Sequence, residues 1–493
     1  VIVTPDLKHW GKTNGPSPRG VGFLPGGPSI FTKSVAVGLY LCLFIRRYQW
    51  ADNWTLIRKV ETELQKGKFF MTGEEYIEIH GGKALSGSVC VQGSKNAILP
   101  MLAASLLPEN GCSVIRNVPP LNDILVAFEL MRHVGATVNY FANEKVVCVD
   151  ATHLTRSDLP ESLTCRLRAS VLFIPPLLKR LGEVRLPSVG GCPLGARNLN
   201  YHYRGFARLG ALITSGNDFV ISGEDFNGAT MYLDFPSHTG TENLMMAACF
   251  SKGVSIIENA ASDPEIFDFA NFLIKMGARI HGLGTRTLTV EGIRALNPID
   301  HYAMNDRLDA GLFMMAAGIA GGKISIIGVA PGDLRILIEK MVQMGIDIGI
   351  NGHVLDVSSP GKHLKPVNVL TCPYPGFATD FQPAIMALSC VADGQSYIRE
   401  RIFDKRFSQV AELRKLGAAI DLDEEDGLAI VHGPTRFKGA DTNPDNIRAA
   451  SCILLAGLAC PEKTIIRNVY QIGRGHFDIE SRFQQIGADI IIR

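Results

Sequence analysis

The sequence predicts an α/β protein of two lobes, each assembled from three copies of one unit of about 70 residues. Three observations carry this. A run of the form apolar–x–x–apolar–Gly–Ala (Ile in one copy) closes an amphipathic helix six times, and its glycines, Gly135, Gly210, Gly277, Gly345, Gly417 and Gly487, fall 67 to 75 residues apart. A short strand precedes each of these helices. Ahead of that strand lies a helix rich in Ala, Met and Leu.

Each part has a physical reason. Glycine just past a periodic run is a helix C-cap, because the left-handed conformation costs it nothing. The preceding strands are Ser113–Asn117, Glu183–Leu186, Ser255–Asn259, Ile324–Ile327, Ser396–Arg399 and Thr464–Asn468. The helices before them include Ala97–Leu107, Glu242–Phe250, Ala310–Ala320 and Ala449–Leu458; being apolar nearly all round, they must be buried. The order is helix, strand, helix, strand, strand, six times. An open solenoid is the plain outcome of a repeat, but a unit this long with a buried helix suits a closed bundle better. Repeats one to three are expected in a lobe of residues 92–303. Repeats four to six, with a closing strand at Tyr76–Ile79, are expected in a lobe of 71–91 and 304–493, and a ligand between the two.

Composition bounds the function. At 493 residues the chain exceeds one ordinary core, and 46% hydrophobic with 20% charged residues fits a globular protein. A net charge of +1 shows no electrostatic footprint for nucleic acid. The eleven cysteines are scattered without a C-x-x-C pair, which fits a reducing, cytoplasmic setting and neither a disulfide framework nor a zinc site. The apolar run Val35–Ile45 is about half of what a membrane-spanning helix needs, so no membrane partner is expected. Residues 1–70, with the Gly/Pro/Ser-rich stretch Lys12–Gly27, are expected to be a disordered extension or the product of an upstream start, ahead of Met71.

Polar residues recur at one place in the repeat, the start of the apolar helix. They are Ser94-Lys95-Asn96, Arg166-Leu-Arg168, Ser237-His238, Asn305-Asp-Arg307-Leu-Asp309, Thr379-Asp380 and Asp445-Asn446-Ile-Arg448. Taken singly, each is an ordinary cap. Cations are different, because Lys95, Arg168, Arg307 and Arg448 oppose the positive helix end unless an anion sits in front. With Arg197, Arg406 and Arg474 nearby in the repeat logic, they predict a cleft for a phosphate or carboxylate ligand. Asp380 is the carboxylate placed to take a proton from a hydroxyl, or else a simple cap. The loop Ser188–His202 adds Gly190, Gly191 and Gly195 around Cys192 and Arg197. Such a loop can lay N–H groups on an anion, and a thiol near a guanidinium can shift toward thiolate; the bland alternative is a flexible turn with a small apolar cysteine.

From about Tyr76 to Arg493 these residues resemble the enolpyruvyl transferases. The resemblance runs through Gln92–Ala97, Arg168–Ser170, Gly190–Arg197, Ile257–Ala260, Pro264-Glu265, Thr379–Gln382, Phe403–Phe407, Arg448–Ala450 and Arg474-Gly475. The cysteine loop separates the chain from the shikimate-pathway branch, which has no such cysteine. The resemblance implies an inside-out α/β barrel of six βαβαββ repeats, three per lobe. It implies transfer of the enolpyruvyl group of phosphoenolpyruvate to the 3′-hydroxyl of UDP-N-acetylglucosamine in peptidoglycan synthesis, with no metal or organic cofactor. It implies Cys192 as general acid and fosfomycin target, Asp380 acting on the sugar hydroxyl, and Asn96 steadying a tetrahedral intermediate. Lys95, Arg197 and Arg474 would hold phosphate and carboxylate, with Arg406 and Arg448 completing the anion cluster. Arg168, Arg197, Asn198, Leu199, Asn200, Tyr201, Ser237, His238 and Ile402 would face the nucleotide. Oligomeric state is left open, a monomer being compatible.

The chain departs from the family pattern at Asn198, where Pro is usual, at Asn200 and Asn446, where Asp is usual, and at His476, where Tyr is usual. Two alternatives therefore stand beside the transferase. One is a paralogue that binds sugar nucleotide without turnover, which Asn446 favours and the set Cys192, Lys95 and Asp380 opposes. The other is an enolpyruvyl transferase with a different acceptor.

Overall fold

The computed structural model describes residues 75–187, 189–190, 199–216, 218–223 and 225–493. The expectation for residues 1–70 lies outside the described residues. Six helices form the interior: α1 (Lys95–Ala104), α2 (Ile174–Leu181), α3 (His238–Cys249), α4 (Arg307–Ala320), α5 (Gln382–Cys390) and α6 (Ile447–Ala459); all are buried along nearly their whole length except α2, whose last turn carries Lys179 and Arg180. Every residue of α4 except Ala320 is buried. Helices α4, α5 and α6 touch one another; α2 and α3 also touch directly, and α1 meets them through the 3-10 turn Arg168–Phe173. The sheets lie outside them and turn alternate residues inward; Val254–Glu258 buries Ser255 and Ile257 and exposes Val254 and Glu258. Two apolar cores result, one drawing on residues from 97 to 303, the other on 77 to 91 and 308 to 490.

Among the described residues there are six sheets, five of four strands and one of three. One order recurs: a short leading strand, parallel to the strand after the buried helix, then the second and first strands of an antiparallel hairpin. Thr230–Tyr232, Val254–Glu258, Thr287–Glu291 and Arg279–His281 make one such sheet. The leading strand therefore adds a sixth part to the five-part order read from the sequence. In the second unit it shrinks to one bridge, Asp158 to Arg185. All six repeat glycines have positive φ, from 89° to 113°.

Three of the expected strands end early, at Arg116, Glu258 and Ile466, because Asn117, Asn259 and Asn468 take positive φ. Each amide then donates to a carbonyl just past a leading strand: Asn117 to Ala303 at 3.0 Å, Asn259 to Leu233 at 2.8 Å, Asn468 to Pro444 at 3.0 Å. The same asparagine locks the start of the unit to its middle in three places.

Two leading strands are exchanged. Leu85–Cys90 runs into α1 but pairs with Gly322–Ile327, the strand after α4. Asp300–Tyr302 runs into α4 but pairs with Cys112–Arg116, the strand after α1. The chain thus passes between the cores twice, and the two passages are joined by a bridge between Gly93 and Asn305. Asn305 accepts from the Asn117 amide at 2.7 Å and donates to the Gly328 carbonyl at 2.8 Å. Ile77–His80 closes the last sheet between Thr464–Ile466 and Asp489–Ile492.

Candidate active site

The two passages bring the start of α1 against the end of the chain. Lys95 Nζ donates to Asp123 Oδ2 at 2.9 Å, and Arg474 Nε donates to Asp123 Oδ1 at 2.8 Å; all three side chains are buried. Asp123 lies in the first turn of the helix Asn122–His133, where a carboxylate suits the helix dipole. Burial opposes its charge, but Lys95 and Arg474 override it and hold its carboxyl below the usual range. Gln92 fastens the joint, donating to the Gly475 carbonyl at 2.7 Å and accepting from the Phe477 N–H at 2.9 Å. Asn96 follows Lys95 on the first turn of α1, partly buried.

A second arrangement of two cations on one carboxylate forms at α5 and α6. Asp380 sits in the 3-10 turn Thr379–Phe381 and accepts from Arg448 Nε at 2.8 Å and Arg406 Nη2 at 3.0 Å through the same Oδ1. Burial would raise its pKa; Arg448 and Arg406 instead depress it far below the carboxylate range. Asp380 is thus neither unpaired nor a plain cap, and in this arrangement it is a weak base. Arg406 also donates to the Thr379 carbonyl at 3.3 and 3.4 Å.

The cations at helix starts need a correction. The anion in front of three of them is the protein's own: Asp123 for Lys95, Asp380 for Arg448, and Asp263 with Glu265 for Arg307, at 2.8 and 3.0 Å. Arg307 is buried in that pairing, its guanidinium over the Tyr374 ring, so it is a joint between α4 and the helix Pro264–Met276. Asn446 has a specific task too. Its Oδ1 accepts from the Arg448 and Ala449 N–H groups at 3.0 Å, capping α6, and its amide donates to Ser408 and Asp445. A helix cap needs an acceptor, which an amide supplies. His476 lies between Asp309 Oδ1 at 3.2 Å and Ser451 Oγ at 3.1 Å in a buried cluster with Arg482.

Of the remaining expected residues, all but Ile402 belong to the stretch that builds the core of residues 97–303. Arg168 opens the 3-10 turn Arg168–Phe173, and Leu199 caps the helix Asn200–Leu209, which carries Asn200 and Tyr201. Ser237 caps α3, its Oγ accepting from the Gly240 N–H at 3.2 Å. His238 follows it; burial works against its charge, but Glu242 at 3.2 Å, with Asp263 and Glu265, raises its pKa to about 10. His202 goes the other way, pushed down to about 3 by burial and by Arg168. Ile402 lies beyond the strand Gln395–Arg399, its N–H donating to Glu400 at 2.8 Å. Cys192, Arg197 and Asn198 lie outside the described residues, although the foot of their loop is anchored, Gly190 N–H donating to the Thr164 carbonyl at 3.0 Å.

Sequence reasoning missed Asp123 and Glu400, and took Asp309 only as part of the polar cluster at the start of α4. Asp123 could have been found as the acidic first-turn residue of an amphipathic helix, the place Asp309 also holds on α4; nothing local marks Glu400. A surface cavity of about 550 Å³ lined by Ile336, Leu370, Phe377 and Tyr397 contains none of the expected site residues. Among the described residues no group of His, Cys, Asp and Glu could hold a metal ion, and no helix is long and apolar enough to cross a membrane.

Comparison with known proteins bears on this arrangement directly. The family model of EPSP synthase (3-phosphoshikimate 1-carboxyvinyltransferase) matches residues 79–483. A UDP-N-acetylglucosamine 1-carboxyvinyltransferase from Thermobifida fusca (strain YX) is 44% identical over 428 residues, 85% of this chain and 99% of that protein. Among solved structures, the enolpyruvyl transferase NikO from Streptomyces tendae is similar with a TM-score of 0.77 at 26% identity, over 85% of this chain and 99% of that one. An EPSP synthase from Acinetobacter baumannii reaches 0.65 at 18% identity, over 85% of this chain and 100% of that one, a likeness of fold. Six repeats around buried helices, two exchanged leading strands and a match along nearly the whole described chain have one explanation: the protein belongs to the enolpyruvyl transferase family and has its two-lobed inside-out α/β barrel.

Proposed function

We propose that this chain transfers the enolpyruvyl group of phosphoenolpyruvate to the 3′-hydroxyl of UDP-N-acetylglucosamine, releasing phosphate, as the committed entry to peptidoglycan synthesis in the cytoplasm. The observation that carries it is the 44% identity across 99% of the Thermobifida fusca UDP-N-acetylglucosamine 1-carboxyvinyltransferase. In this reading residues 92–303 form one lobe and 71–91 with 304–493 the other, and the substrates bind between them. Lys95, Arg197 and Arg474 hold the phosphate and carboxylate of phosphoenolpyruvate. Asp123 keeps Lys95 and Arg474 side by side beforehand, so little ordering is left for binding. Arg168, residues 197–201, Ser237, His238 and Ile402 face the nucleotide.

The chemistry is addition followed by elimination. The Cys192 thiol gives a proton to the methylene carbon while the 3′-oxygen attacks the adjacent carbon and loses its proton to Asp380. Asn96 steadies the tetrahedral adduct; a proton then returns from the new methyl group to the Cys192 thiolate as the C–O bond to phosphate breaks, and the departing phosphate takes the proton held by Asp380. Arg406 and Arg448 suppress the basicity of Asp380, so it takes the proton only as anionic substrate draws those cations away. Fixed cations stabilise the charge that develops on the leaving phosphate. Asn446, turned to the α6 amides, gives no support to a binding protein without turnover.

The test is phosphate release from phosphoenolpyruvate by the full chain, with and without UDP-N-acetylglucosamine, beside Cys192→Ala. Acceptor-dependent release, lost in Cys192→Ala, is expected. Release that depends on another acceptor, such as shikimate 3-phosphate, would overturn the reading.

A further inference from the structure

The geometry points to Glu400 as a positioning residue that ties the nucleotide-side loop to Asp380, an inference that rests on the function proposed above. Glu400 follows the strand Gln395–Arg399 and is 5% exposed. Its two oxygens face two different parts of the site. Oε1 accepts from the N–H of Ile402 at 2.8 Å, the N–H of Phe403 at 3.2 Å and the Thr371 hydroxyl at 2.9 Å. Oε2 accepts from the Thr379 hydroxyl at 3.0 Å. Three donors converge on Oε1 and one on Oε2, in total about as many as a carboxylate accepts. All four are neutral, and their common effect is to set positions.

Both ends of this arrangement lead to the reaction. Ile402 is the residue of this lobe expected against the nucleotide. Thr379 is bonded to Asp380, and its carbonyl is gripped from the other side by Arg406 at 3.3 Å. The turn that aims Asp380 is therefore held between Glu400 and Arg406. The frame behind Glu400 is fixed as well: its own N–H donates to the Gly427 carbonyl at 2.8 Å, and fully buried Thr371 accepts from the Arg401 N–H at 2.8 Å. A shift of the 401–403 turn on nucleotide binding reaches Asp380 through one rigid carboxylate. Glu400 touches no reacting atom; it makes the placement of the acceptor sugar and of the group that deprotonates it a single event.

The two oxygens can be separated experimentally. Thr379→Val cuts only the Oε2 arm: kcat is expected to fall about 10-fold, since small misplacements at the reacting atoms are costly, with KM for UDP-N-acetylglucosamine within about twofold of wild type. Glu400→Ala cuts both arms, so kcat falls and KM for the nucleotide rises about 10-fold, the worth of hydrogen bonds to a charged group. Glu400→Gln keeps an acceptor for the Ile402 and Phe403 N–H groups, and the Thr379 hydroxyl can reverse to accept from the new amide, so it is expected to recover most of the KM and part of the kcat. Steady-state kinetics on the full chain, with melting curves of each variant, decide it. Thr379→Val with wild-type kcat, or losses in every variant that merely follow the folded fraction, would overturn the role of Glu400 while leaving the function standing. A wild-type chain with no acceptor-dependent phosphate release would remove both.

Discussion

Single residues carry the electrostatics of this site, and their partners come from far away in the chain. Asp123 meets Arg474 across 351 positions. Replacing it by Asn leaves two buried cations without their shared charge, a change worth about 3–5 kcal/mol of stability. Urea unfolding of Asp123→Asn should show that loss. The pH dependence follows from the sign of the shift. Asp123 has a folded pKa below its unfolded value, so its contribution is complete above about pH 4 and fades as pH falls through the folded value. His202 titrates in a different window. Its folded pKa of about 3 lies below the unfolded 6.5, so the buried neutral ring contributes fully above about pH 6.5 and less as pH falls toward 3. The difference in unfolding free energy between wild type and His202→Gln should therefore rise with pH between 4 and 6.5, by at most about 1.4 kcal/mol per unit, and be level above. These partners explain what was legible. Lys95, Asp380, Arg406, Arg448 and Arg474 stand out in the sequence because each recurs at a helix start or a family motif. Glu400 does not, because two of its four donors are the hydroxyls of Thr371 and Thr379, 29 and 21 positions away, and such pairs leave no local spacing. Arg307 shows the opposite error: a cation at a helix start reads as a ligand for substrate, when two carboxylates of a neighbouring helix already hold it.

At the scale of elements, the repeat was legible because glycine marks it. The six caps differ in what surrounds them, and substitution should show it. A Cβ at Gly345 or Gly487 would meet nothing within 4 Å, so Gly345→Ala and Gly487→Ala should cost only the positive-φ strain, about 1–2 kcal/mol each. A Cβ at Gly135 would lie 2.6 Å from the His153 carbonyl oxygen, and Gly135→Ala should cost clearly more. Denaturant midpoints of the three variants check the order. Two of the leading strands escaped the sequence for a simple reason. Val369–Leu370 and Asp441–Thr442 have two residues each, and a period of two cannot be seen in two residues. The asparagines at 117, 259 and 468 stand at the ends of the predicted strands, but only the backbone shows that each is a left-handed stop whose amide binds the next layer.

For the whole molecule, the two passages of the chain between the cores decide what the site can be. They place α1 and α4 next to the closing segment 470–477, and through Gln92 they tie it down. Gly93 is where they meet; a Cβ there would overlap the Asn117 carbonyl oxygen. Gly93→Ala should therefore push the passages apart, lowering the melting temperature of the full chain and weakening phosphoenolpyruvate-dependent protection from proteolysis. The strand Ile77–His80 has a consequence for synthesis on the ribosome. The core of residues 97–303 has all its strands once Tyr302 is made. Ile77–His80 must wait for Asp489–Ile492, and at about 5–20 residues per second that wait is roughly 20 to 80 seconds. Over that interval one half of the enzyme can be finished while the first strand of the other is held open, unpaired along both edges, in need of a chaperone or of luck in a crowded cell.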